Sequence, residues 1–183
     1  MKELYRQEEI VNFWFDECTP VQWFKKDINF DKMLKNRFSK LVEIALEGKL
    51  DSWSNSETGC LALILLLDQF TRNIFRETPH AFSGDEKALE LSYKCIENGY
   101  HKHSDVHKCH FMLLPMMHSE EISVQDLSLP HFKNLKDKNI YDYALRHRNI
   151  IKRFGRFPHR NSVLGRKSTE EEISFLSNAG SSF

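Results

Sequence analysis

The segment Cys60–Arg76, CLALILLLDQFTRNIFR, constrains the fold more than any other stretch. Its first half is apolar around the whole helical circumference, so a helix there must be covered on every side. The uninterrupted apolar run, Leu61–Leu67, is seven residues, far short of the roughly 20 that a membrane-crossing helix needs. The cover must therefore come from the chain's own helices. A chain of 183 residues can supply it as one domain, without disulfide or metal staples.

Only seven Gly and five Pro punctuate the sequence, and no run of alternating β-branched residues stands out, so the stretches between breaks read as helices. The spacing predicts helices over Glu8–Phe15, over Phe30–Glu47 stopped by Gly48, and over Cys60–Arg76 stopped by Thr78-Pro79. The capping box Ser83-Gly84-Asp85-Glu86 opens another that runs to Gly99. A helix starting near Asp105 should kink or end at Pro115, and Ser123–Lys136 should be broken by Pro130. Asn139–Phe154 ends at Gly155, and a second box, Ser168-Thr169-Glu170-Glu171, opens a last helix towards Asn178. The tail Ala179–Phe183 should fray. With no internal repeat and no long polar linker, the expectation is a single all-α domain over residues 1–183.

Lys plus Arg and Asp plus Glu both number 26, so the formal net charge is zero. That balance argues against general nucleic-acid binding, which needs a basic excess. The charged start Met1–Glu9 carries no signal-peptide apolar block, and Cys18, Cys60, Cys95 and Cys109 are scattered without a CxxC pair. Both features fit reduced thiols in a cytoplasm, with no membrane partner.

Against that neutral background, Arg153, Arg156, Arg160 and Arg166 fall within fourteen residues, alternating with Phe, Gly and Pro in RFGRFPHRN and LGR. Arginine's fork of donors suits a carboxylate, a phosphate or an internal acid. On the helix Cys60–Arg76, residues Asp68, Gln69, Arg72, Asn73 and Arg76 share a sector about 140° wide that continues a buried face, so the stripe either lines a cleft or is an ion pair at an exposed helix end. His147 falls on the apolar face of Asn139–Phe154, where a satisfied core histidine is the ordinary reading. His118-Ser119-Glu120 follows Pro115 and could move a proton or simply pair with the arginines. His103, His107 and His110 have helical metal-ligand spacing but lack HExxH or paired cysteines, so no metal is expected. No phosphate-cradling glycine loop, and hence no nucleotide cofactor, is signalled.

These blocks resemble a bacterial family, domain of unknown function 924, grouped with tetratricopeptide-like helical folds. The resemblance rests on Leu61–Phe70 with Arg72-Asn73, on Ala81-Phe82, and on Leu114-Pro115 with His118-Ser119-Glu120 and Gln125. It continues through His147, Arg153–Asn161, Leu164-Gly165-Arg166 and Ser168-Thr169, and the N-terminal Phe13-Trp14-Phe15 and Trp23-Phe24 look similar too. Thr71 departs from it, standing where the family is expected to carry proline. The resemblance implies an antiparallel array of helices in a tetratricopeptide-like superhelix and implies no activity.

Two functions compete. In the first, an anionic small molecule enters a pocket in which Asp68, Arg72, Asn73, Arg76, His147, Arg156, Arg160, Asn161 and Arg166 bind it, while His118, Glu120 and His159 move protons. In the second, the chain is a peptide-binding interaction module with exposed Trp14, Trp23 and Trp53 as anchors. A third possibility is structural: the acids and arginines form a closed ionic network that locks loop to helices.

Overall fold

The computed structural model describes residues 6–178, 180 and 181. Met1–Tyr5, Ala179, Ser182 and Phe183 lie outside the described residues, and with them part of the expectations for the charged start and the fraying tail. All regular structure among the described residues is helical. The α-helices are α1 (Gln7–Asn12), α2 (Pro20–Phe24), α3 (Ile28–Leu46), α4 (Glu57–Ile64), α5 (Thr71–Ile74), α6 (Asp85–Glu97), α7 (Val106–His118), α8 (Ile122–Asn134), α9 (Lys138–Phe154) and α10 (Glu170–Leu176). No helix among the described residues is long and apolar enough to cross a membrane.

The contacts divide the chain into two compact units. One holds the described residues up to Arg76 together with His80–Pro115; the other holds Glu77–Pro79 and the chain from Met116 onward. In the first, every residue of Leu61–Leu67 is at most 2% exposed, as an all-round apolar helix requires. Aromatic side chains build much of its cover. Trp14 meets Phe70 at 5.4 Å and the edge of Phe111 at 5.7 Å, and Phe13 meets Phe38 at 4.8 Å. Trp14, Trp23 and Trp53 are all core residues, so the expectation of exposed tryptophan anchors is overturned.

Local chemistry sets several helix ends. Asp27 caps α3 by accepting from the Asn29 and Phe30 N–H groups, and Asp137 caps α9 by accepting from Ile140 N–H. Gly155 ends α9 at φ +68°, a left-handed conformation that a side chain would strain. Elsewhere tertiary structure overrides the local signal. The Ser83 hydroxyl donates to the His80 carbonyl instead of capping α6, whose N-cap is Gly84. The last capping box is Thr169 with Glu172, one residue later than the spacing predicts. Helices α7 and α8 run through Pro115 and Pro130. A mid-helix proline costs about 3 kcal/mol, and burial of Phe111, Met112, Met116 and Met117 around the first, and of Val124, Ser128 and Phe132 around the second, outweighs it.

Cys60–Arg76 is not one uniform helix either. Between α4 and α5 the turns of Leu65–Phe70 widen to the π form. The Leu67 carbonyl there accepts from the Thr71 hydroxyl at 2.8 Å. It also lies so close to Gly84 that a Cβ at that position would stand 2.2 Å from it, which explains why a glycine begins α6.

In the second unit α8 packs along α9, and Ile150, Ile151 and Phe157 form a core joined by Phe154 and Phe175. Gln125, fully buried on α8, donates to the carbonyls of Met117 and Ser119 at 2.7 and 2.8 Å and so fixes the turn that carries His118 and Glu120.

Candidate functional site

In the first unit the polar stripe is closed on itself. Asp68 has no exposed surface; its carboxylate accepts from Gln69 Nε2 at 2.5 Å and faces Arg72 Nη1 at 3.0 Å. Arg72 also grips Asp85, at 2.8 Å to Oδ1 and 3.1 Å to Oδ2. Burial works against the Arg72 charge, but the charges of Asp68 and Asp85 win and its pKa is raised. One turn on, Arg76 makes a fork-on-fork pair with Asp31, Nε to Oδ2 at 2.6 Å and Nη2 to Oδ1 at 2.8 Å, and Asn73 Nδ2 donates to the same Oδ1 at 2.8 Å. Buried Asp68 and part-buried Arg72 are therefore not a decoration of an exposed helix end. Asp85, partner of Arg72, and Asp31, partner of Asn73 and Arg76, are first-turn residues of α6 and α3 and carried no sequence signal of these roles.

In the second unit the remaining predicted residues form two groups. The first is a latch. Glu120 accepts from Arg166 Nη1 at 2.6 Å, Arg166 Nη2 at 3.0 Å and the Phe157 N–H at 2.7 Å. Arg166 also donates to Asn161 Oδ1 at 2.9 Å and to the Phe157 carbonyl at 3.1 Å, while Asn161 Nδ2 donates to Ser168 at 3.1 Å. Burial would raise the Glu120 pKa, but the hydrogen bonds from Arg166 and Phe157 and the charges of Arg160 and Arg166 hold it below the usual carboxylate range. Arg156 forks onto Glu172 at 2.7 and 2.8 Å, and Glu172 accepts from the Thr169 N–H as well. The Glu172 carboxyl is accordingly lowered to about 2, chiefly by Arg156. Glu172 was missed by the sequence reading, although the Thr169-to-Glu172 spacing was there to find.

The second group is a histidine cluster around Phe157. The His147 ring stands edge-on to Phe157 at 5.6 Å and 6.2 Å from the His118 ring. His159 lies 5.6 Å from Phe157, and the Arg160 guanidinium sits over the same ring at 4.8 Å while donating to the His118 carbonyl at 3.0 Å. His147 and Arg160 are both buried. His147 Nδ1 lies 2.8 Å from the Tyr143 carbonyl, which can only accept, so Nδ1 carries the proton and Nε2 the lone pair of the neutral ring. Its pKa is pushed down to about 3, first by burial and then by electrostatic interaction with His118, His159 and Arg160, against the Tyr143 hydrogen bond. His103, His107 and His110 pack separately, near Glu57, Trp23 and Phe24. Among the described residues no three His, Cys, Asp or Glu are placed to share a metal ion.

The profile of the family described as "Bacterial protein of unknown function (DUF924)" matches residues 10–180. The chain belongs to this family. The DUF924 chain is also similar to the solved structure of a protein of unknown function from Agrobacterium tumefaciens, with 37% identity and a TM-score of 0.88 over 93% of this chain and 96% of that one. None of the curated proteins matches it.

Proposed function

We propose that this protein binds an anionic small molecule, carrying a phosphate or carboxylate, at the cluster of His118, His147, His159 and Arg160, with the histidines exchanging its proton. The observation that carries this reading is the gathering of His118, His159 and Arg160 about buried His147, beside the Glu120 carboxylate on which Arg160 acts. An entering anion would add to the negative charge of Glu120 and favour a proton on the desolvated ring. Arg160 supplies the fixed donors, and His147 Nε2 supplies a lone pair for a proton on the ligand. Glu120 serves as the carboxylate that holds the loop, since both its oxygens already accept from Arg166. Arg72, Arg76, Arg156 and Arg166 likewise support the scaffold through their acids. The peptide-binding reading, with its tetratricopeptide-like groove, has lost its tryptophan anchors to the core.

Calorimetric titration with inorganic phosphate and with small carboxylates, in two buffers of different ionisation enthalpy, tests the proposal. Binding should be accompanied by proton uptake, because an anion raises the His147 pKa. The Arg160→Lys and His118→Gln variants should weaken binding. No heat and no thermal stabilisation with any of these anions would sink the reading.

A further inference from the structure

Cys60 and Cys95 are distant in sequence but adjacent in the first unit, on the packed helices α4 and α6. Both are free thiols without exposed surface, and their side chains are hydrogen-bonded to each other. Cys60 Sγ also donates to the Ser54 carbonyl at 3.2 Å, and Lys94 Nζ donates to Ser54 Oγ at 2.8 Å. Ser54 and Lys94 in turn line a cavity of about 210 Å³ together with Asp51, Leu63, Lys87 and Leu91. The dithiol thus lies one residue behind a cavity wall. Water occupies about 30 Å³ in the liquid, so a small neutral oxidant fits this space easily.

We propose that Cys60 and Cys95 are a redox pair that a hydroperoxide converts into an intramolecular disulfide joining α4 to α6. In the first step the Cys60 thiolate attacks one oxygen of hydrogen peroxide; the O–O bond breaks, an S–O bond forms, and the departing hydroxide takes a proton and leaves as water. In the second, the Cys95 sulfur attacks the Cys60 sulfenic sulfur; the S–S bond forms, the S–O bond breaks, and the Cys95 proton leaves with the hydroxyl as a second water. The two sulfurs lose two electrons and the peroxide gains them. A thiol reductant reverses the change by exchange.

The geometry divides the roles. Cys60 Sγ is hydrogen-bonded directly to Ser54 of the cavity wall, so Cys60 is the attacking sulfur; the hydrogen bond from Cys95 and the Lys94 charge favour its thiolate against burial. That same bond, burial and the charges of Cys60 and Glu57 push Cys95 up, as suits a resolving thiol. Burial instead raises Cys18, to about 11, and also raises Cys109, so both should stay inert.

The test treats the intact reduced protein with hydrogen peroxide, quenches in acid and maps unreduced peptides by mass spectrometry. A Cys60–Cys95 cross-link should be the main product, lost on treatment with dithiothreitol, absent from C60A and C95A, and retained in C18A and C109A. Truncating a buried thiol can unfold the chain, so the wild-type protein carries a second measurement. Phenylarsine oxide, which bridges two adjacent thiols, should protect Cys60 and Cys95 together from alkylation. Oxidation of Cys18 or Cys109 first, sulfinic acid at Cys60 without a cross-link, or a cross-link that forms only in denaturant would overturn the proposal.

Discussion

Arg72 sits between two carboxylates, Asp68 and Asp85, whereas His147 sits among two other imidazoles and the Arg160 guanidinium, with the Glu120 carboxylate acting on Arg160. The first side chain is a charge paired directly with acids, whereas the second is a buried neutral ring bonded to the Tyr143 carbonyl. An internally cancelled pair asks nothing of a ligand; it is sensitive to the loss of either member and indifferent to solutes. A ring kept neutral chiefly by burial responds to protons and to any charge brought near it. The difference separates arginines held by acids from a histidine held neutral by its surroundings.

Breaking the first arrangement should have the largest effect. Arg72→Ala leaves Asp68 buried without its guanidinium, which costs about 3–5 kcal/mol, read as a fall in the urea midpoint. The double variant D68N/R72A should recover part of that loss, because it removes the stranded charge too. Equal instability of the single and double variants would show that the pair is not the source.

Next comes the latch. Glu120→Ala strands a part-buried Arg166 and the Phe157 N–H, and about 2–3 kcal/mol should be lost. Circular dichroism should still report a helical chain, and thermal unfolding should begin earlier.

Acid titration sharpens the comparison. The His147 pKa falls from the ordinary histidine value of 6.5 to about 3 on folding, so the unfolded chain binds more protons between those values. The stability this neutral ring contributes is present above pH 6.5 and is lost as pH falls towards 3, by about 2 kcal/mol at pH 5. Glu172 acts in a lower window: its carboxyl is lowered from 4.5 to about 2, so its contribution is full above pH 4.5 and fades below. Urea unfolding across pH 4 to 7.5 should slope accordingly, and His147→Phe should flatten the upper part only. An unchanged slope in that variant would remove His147 from the account.

Burial predictions succeeded where the sequence carries one dominant period. Leu61–Leu67 had to be enclosed, and it is; Asn139–Phe154 had an apolar stripe and a glycine stop, and α9 ends there. Pro130 was misread as a break, because it opposes packing energies that depend on residues distant in sequence. The same blindness hid Asp31, which lies 45 positions from Arg76. Glu120 was legible as an ionic partner for the arginines, but its choice of Arg166, 46 positions away, was not. The adjacency of Cys60 and Cys95 was equally invisible, since a spacing rule sees only neighbours in sequence.

Arg153 tests the comparison at its weakest point. In RFGRFP it looks no different from Arg156, yet its partner Glu171 is 62% exposed and Arg153 itself 54%, while the Arg156 partner Glu172 is 2% exposed. Water and salt screen the Arg153–Glu171 attraction, so the coupling in a double-mutant cycle should be about 0.5 kcal/mol or less and should vanish in molar sodium chloride. Arg153→Ala alone should cost slightly more than the coupling, because the guanidinium also lies over Phe154 at 4.7 Å and its stem covers apolar surface. A coupling that survives high salt would mean that this pair, too, belongs to the closed network, and that exposure does not divide the arginines of the loop.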